Sequence, residues 1–139
     1  MKFGVLVMTG AISLAVCMVA VSVQTQAARD TTLVSFKSDV MPVIKKSCLP
    51  CHAEDNFNPS ELSLDSYELL VEGGKHGTTV TPGRPAESLL IQKLGQNPPF
   101  GDRMPLDPKR KKGEPSSAKL SDEEIQLIDT WVEQGAKNN

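Results

Sequence analysis

Aromatic residues are scarce in this chain: four phenylalanines, one tyrosine and one tryptophan among 139 residues. With Phe3 set aside in an apolar leader, only Phe36, Phe57, Tyr67, Phe100 and Trp131 remain to build a core, which is thin for one domain. Cysteine is scarcer. Of the three, Cys17 lies in the leader, so Cys48 and Cys51 alone remain and a disulfide framework is excluded. Neither sign of charge dominates. The formal net charge is −2, or −3 once Lys2 is removed, which argues against nucleic acid as the main partner. What the chain does have is irregular backbone, with ten prolines and ten glycines, and no internal repeat.

Residues 1–27 read as a secretory signal peptide. Lys2 is the positive start, Phe3–Val23 is uncharged and mostly apolar, and Thr25-Gln26-Ala27 ends in small residues suited to cleavage. Two alternatives stay open. Phe3–Val23 is long enough to span a membrane uncleaved, and Leu14-Ala15-Val16-Cys17 resembles a lipoprotein box, although Val16 stands where a small residue is wanted.

Beyond the leader the pattern is helical. Phe36, Val40 and Ile44 recur every four residues and predict a helix from about Thr32 to Lys46, with Pro42 forcing a kink or a restart. Ser66 predicts a capped short helix ending at Gly73-Gly74. Lys75–Thr81 reads as a loop or short strand. Pro85 predicts a helix to about Leu94, with Leu89, Leu90 and Leu94 on its buried side. Asp107–Lys119 reads as a mobile basic segment containing Lys109-Arg110-Lys111-Lys112. The last helix carries the clearest signals: a Ser121/Glu124 capping box, a face of Ile125, Ile128, Trp131 and Val132, and Gly135 at its end. Tyr67 and Trp131 read as core.

The chemistry concentrates in Cys48-Leu49-Pro50-Cys51-His52. Two thiols three residues apart and an adjoining imidazole make the attachment pattern of c-type haem. At about 3.6 residues per turn both sulfurs reach one edge of the macrocycle, and His52 takes the proximal position on iron. Three other readings use the same residues. A thioredoxin-like pair needs a βαβ pattern, which is missing here. A zinc site would need His76, 24 residues beyond His52. A nucleophilic Cys51 would need more than a histidine next to it in sequence. A haem would also supply the large apolar centre that the side chains lack.

Low-spin electron carriers need a second axial ligand, and Met104 is the candidate. It is a soft thioether, 52 residues after His52, in a proline-rich loop, and Met41 is the only other methionine beyond the leader. Core filling is the alternative use of a methionine. His76 is the rival ligand, although Gly73, Gly74 and Gly77 around it suggest a surface loop. An open sixth position is the third possibility.

With these motifs in hand, the chain resembles the c-type cytochrome domains of planctomycetes, within the cytochrome c superfamily. The resemblance rests on Phe36–Val43, Cys48–His52, Leu62–Tyr67, Gly73-Gly74 with Gly77, Pro82-Gly83, Glu87–Leu90, Arg103-Met104-Pro105 and the stretch from Leu120 to Ala136. It implies a small all-α fold over residues 28–139, wrapped around one covalently attached haem c. Cys48 and Cys51 would be the thioether sites, and His52 and Met104 the iron ligands. It implies electron transfer rather than enzyme activity: an exported, periplasmic carrier between a redox donor and acceptor, at a membrane only if the leader is uncleaved. Two features depart from the pattern, the domain standing alone behind a leader and the long basic link at 107–119. A haem enzyme or small-ligand sensor with an open sixth iron position is the alternative. Lys109–Lys112 is either a docking patch for an acidic partner or a solvated linker.

Overall fold

Ser35 caps the first helical turn. Its hydroxyl accepts from Ser38 N at 3.3 Å, and its own N–H donates to Asp39 Oδ2 at 2.8 Å. The turn that follows, Phe36–Val40, is π-helical, with Met41 N–H reaching back to Phe36 O. α1 then runs Met41–Ser47 with Pro42 in its first turn. The sequence predicts one helix from Thr32 with a disturbance at Pro42. The helix begins four residues later, and the proline sets how it is built. Pro42 has no N–H for the carbonyl four residues back, and its ring would press on that oxygen, so the turn before it widens and the α-helix restarts. Phe36, Val40 and Ile44 are all buried, as their spacing predicts.

The computed structural model describes residues 32–56, 58–107, 109, 111, 114 and 118–139. The leader expected at 1–27, Phe57 and much of the basic segment, including Arg110 and Lys112, lie outside the described residues. Among those described the architecture is all-α, with no strand, and no helix is long and apolar enough to cross a membrane. The short strand considered for 75–81 is replaced by a tight turn, in which Gly74 and Gly77 exchange both backbone hydrogen bonds at 3.2 and 2.9 Å.

α2 (Leu49–His52) follows α1 after one residue, Cys48, whose N–H still donates to Ile44 O at 2.8 Å. α3 (Tyr67–Glu72) is capped by the Ser66 hydroxyl, which accepts from Leu69 N, and it ends at Gly73 with φ +87°. The helix predicted over 85–94 is split. Pro85–Glu87 is a 3₁₀ turn, and α4 is Leu89–Leu94. The break falls at Ser88, which is wholly buried and bonded through its hydroxyl to Thr81 N and towards Arg84 O and Thr81 O. α5 (Asp122–Glu133) carries the capping box that Ser121 and Glu124 predict. Glu124 also meets Lys46 at 2.6 Å, and that bond, with the Ser121 backbone, holds its carboxyl below the usual range.

The core lies where α5 crosses the lead-in turn. Phe36 packs edge-on to Tyr67 and tilted against Trp131, with ring centroids 5.3 Å apart in each pair. Tyr67 OH donates to Ala136 O and Trp131 Nε1 to Lys137 O, so both polar tips are satisfied; Trp131 is core, as read from the sequence, and Tyr67 is half-buried against it. Asn139 closes this end of the molecule. Its backbone oxygen accepts from Lys37 N and Ser35 Oγ, and its Oδ1 from Phe36 N.

Candidate functional site

α2 and the residue before it bring Cys48, Cys51 and His52 to the lining of a cavity of about 280 Å³. Leu62 and Leu64 also line it, and Leu64 N–H donates to His52 O at 2.9 Å, which ties the segment after the loop to the end of α2. His52 Nδ1 lies 3.1 Å from Leu62 O. A carbonyl can only accept, so Nδ1 is the donor, and in the neutral ring Nε2 keeps the lone pair. Asn58 Nδ2 donates to the same Leu62 oxygen, fixing it in place.

α4 also lines the cavity. Leu89 and Leu90 are only half-buried because the side predicted to be core faces the cavity, together with the buried Leu94. The end of α4 also delivers Met104. The last carbonyls of a helix have no partner within it. Here Lys93 O accepts from Met104 N at 2.8 Å and Leu94 O from Arg103 Nε at 2.7 Å. Lys93 Nζ ties down the intervening loop through Phe100 O and Asp102 O, each at 2.6 Å. Burial lowers the Lys93 pKa, and Asp102 opposes that shift.

The Gly74–Gly77 turn presents His76 at the rim. Its ring stacks on Phe100, centroid to centroid 4.0 Å, with Lys93 Nζ 4.7 Å from the same ring centre. Both His76 and Phe100 are exposed, yet both line the cavity, so the surface loop read from the glycines is also part of the site. The sequence brings Cys48, Cys51, His52 and Met104 forward as site residues, and all four line this cavity. It misses Thr79, Lys93 and Leu62. Nothing local marks them, because each acquires its place from contacts distant in sequence.

Residues 48–105 match the family model described as Planctomycete cytochrome C. The chain carries a planctomycete-type cytochrome c domain. The matched stretch runs from Cys48 through α4 to Pro105, so it contains every residue that lines the cavity except Ser47 and Leu106. No curated protein and no solved structure matches the chain.

A cytochrome c domain implies haem, and the cavity of this cytochrome domain can be tested against that group. Six leucines, Phe100 and Met104 make its lining surface mostly apolar, as a flat apolar macrocycle requires. Its donors are a nitrogen and a thioether, both of which bind haem iron. Cys48 and Cys51 are free thiols. Burial, and secondarily Cys51, pushes the Cys48 thiol up to about 11. A protonated thiol is a poor nucleophile. Among the described residues no three His, Cys, Asp or Glu side chains gather as a metal site. The lining therefore fits a haem better than it fits zinc or a thiol-redox pair.

Proposed function

We propose that the chain is an exported, single-haem c-type cytochrome that carries electrons, with residues 1–27 as its export signal and 28–139 as the haem domain. The observation that carries this reading is the lining of one apolar cavity by Cys48, Cys51, His52 and Met104. Bound haem supplies an iron that accepts and returns one electron. The chain's residues do the rest. Cys48 and Cys51 hold the macrocycle by thioether bonds, at a spacing that puts both sulfurs on one edge. Leu62 O holds His52 in the tautomer whose Nε2 can bind iron. The Lys93 and Arg103 contacts hold the Met104 loop against the end of α4. Leu62, Leu64, Leu90 and Leu94 exclude water, which, with the Met/His pair, raises the reduction potential. Nothing in this set activates a substrate, and the partners are a redox donor and a redox acceptor.

The deciding experiment is expression with export and haem-attachment machinery, a visible spectrum, and acid–acetone extraction. A sharp reduced spectrum with haem retained on the polypeptide is expected. A colourless product, or haem that extracts freely, overturns covalent attachment. Carbon monoxide then separates a carrier from a ligand sensor, since a Met-ligated ferrous protein resists it and an open sixth position does not.

A further inference from the structure

The oxygen that accepts from the His52 ring accepts a second bond. Leu62 O receives His52 Nδ1 at 3.1 Å and also receives Asn58 Nδ2. The orientation of the Asn58 amide follows from its other partners. Its Oδ1 accepts from Ser60 N at 3.2 Å and from Ser60 Oγ at 2.6 Å, so a turned amide would set its amino group against the Ser60 N–H and its oxygen against Leu62 O. Leu62 is held by backbone contacts as well. Glu61 N donates to Asn58 O, Lys75 N to Ser60 O and Leu64 N to His52 O, at 3.0, 2.9 and 2.9 Å. The Gly74 turn packs on the same segment, so closely that a Cβ there would sit 2.6 Å from Ser60 O and 2.9 Å from Leu62 N. With the segment held on both sides of Leu62, the further effect of the amide falls on the oxygen itself.

We propose that Asn58 is a positioning residue for electron transfer, its amide competing with His52 Nδ1 for the Leu62 oxygen and so raising the reduction potential. The inference rests on the haem reading above, with His52 on the iron. A ring N–H that donates to a carbonyl makes the other ring nitrogen a more basic ligand. A more basic ligand favours ferric iron, so a strong acceptor at Nδ1 lowers the potential, and hydrogen bonding around the ligands is one of the protein's levers on it. An oxygen that already accepts from a second donor is a weaker acceptor for the first. Leu62 O therefore sets the ring tautomer yet draws less on the Nδ1 proton, and His52 stays nearer to a neutral imidazole. Asn58 acts through the proximal ligand in the same direction as the Met104 thioether does on iron.

The test compares wild type, Asn58→Leu, Asn58→Asp and Ser60→Ala as holoproteins. Two quantities are read: the reduction potential, and the chemical shift of the His52 Nδ1 proton in the diamagnetic ferrous form. Leucine is neutral, close in size, has no donor and keeps water from taking the amide's place. In Asn58→Leu the ferric-to-ferrous ratio at a fixed solution potential should rise about threefold, the size of effect one hydrogen bond supports. The ring proton should move downfield as its bond to Leu62 O strengthens. Asn58→Asp keeps an acceptor for the Ser60 groups but does not donate when ionised. Its charge lowers the potential by itself, so this variant is judged on the ring proton, which should also move downfield. Ser60→Ala removes one partner of the turn and leaves the amide on Leu62 O, so both quantities should keep their wild-type values. An upfield ring proton with a raised potential in Asn58→Leu would overturn the proposal, because the amide would then serve only to hold the oxygen on the ring. Unchanged values, a potential that moves without the ring proton, or a Ser60→Ala protein that matches Asn58→Leu would overturn it too. Should Asn58→Leu not yield holoprotein, the ring proton of Asn58→Asp decides alone. A wild-type protein without covalent haem would fail earlier, at its own spectrum, and would remove the function together with this inference.

Discussion

At His52, one acceptor decides the chemistry available to the ring. Leu62 O takes the Nδ1 proton, and the same oxygen is held by Asn58, so Nε2 is the nitrogen left with a lone pair. Met104 is held differently, through its backbone N–H on Lys93 O and through its neighbour Arg103 on Leu94 O. The side chain can therefore be shortened without releasing the loop. Met104→Ala should bind carbon monoxide in the ferrous state, where wild type resists it, and its reduction potential should fall with loss of the thioether. Adding His76→Ala removes the one other histidine that lines the cavity. An axial-ligand spectrum unchanged in Met104→Ala would remove the sulfur from the iron. Cys48, Cys51, His52 and Met104 were legible because their pattern is local, or because the chain has so few alternatives. Asn58 was not, since an asparagine in a polar loop gains its meaning only from the carbonyl it shares with His52.

Among the elements, those with chemical punctuation were legible: the Ser66 cap, the Ser121/Glu124 box and the buried faces of α1 and α5. The departures lie where periodicity alone guided the reading. Pro42 turned one helix into a π turn and α1, and the buried Ser88 hydroxyl split the 85–94 helix by bonding the backbone itself. The glycine turn is the element whose local demand can be tested most directly. Gly73 has φ +87°, and a Cβ there would sit 2.3 Å from Gly77 O. Gly77 has φ +93°, but a Cβ there meets nothing within 4 Å. Alanine at 77 carries only the backbone strain, about 1 kcal/mol, whereas alanine at 73 adds a collision with backbone and should cost about 3 kcal/mol. Urea unfolding of the two holoproteins checks the order. If Gly77→Ala were the costlier change, the close approach at Gly73 would be wrong. Gly73→Ala should also disturb the visible spectrum more, because this turn carries His76 to the rim.

For the molecule as a whole, the shortage of aromatic side chains becomes a statement about cohesion. The aromatic cluster of Phe36, Tyr67 and Trp131 holds the lead-in turn, α3 and α5 together. α2 and α4 instead turn side chains to the cavity. These helices have four and six residues, and isolated helices below about 12–15 residues are marginal in water, so their order must come from packing. A cavity of 280 Å³ weighed at about 24 cal/mol per Å³ corresponds to at most about 7 kcal/mol, since its mouth is open to water. Domain stabilities are about 5–15 kcal/mol, so the haem would supply a large share of the total. The chain with Cys48→Ser and Cys51→Ser, prepared without haem, should accordingly have reduced far-ultraviolet helicity and a broad thermal transition. The residual structure should be confined to the α1/α5 end, where the apolar contacts are made by protein alone. The holoprotein should melt cooperatively. A haem-free double variant with the holoprotein's helicity and a single sharp transition would mean that the aromatic cluster suffices, and that the cavity is a binding site on a finished fold rather than half of its core.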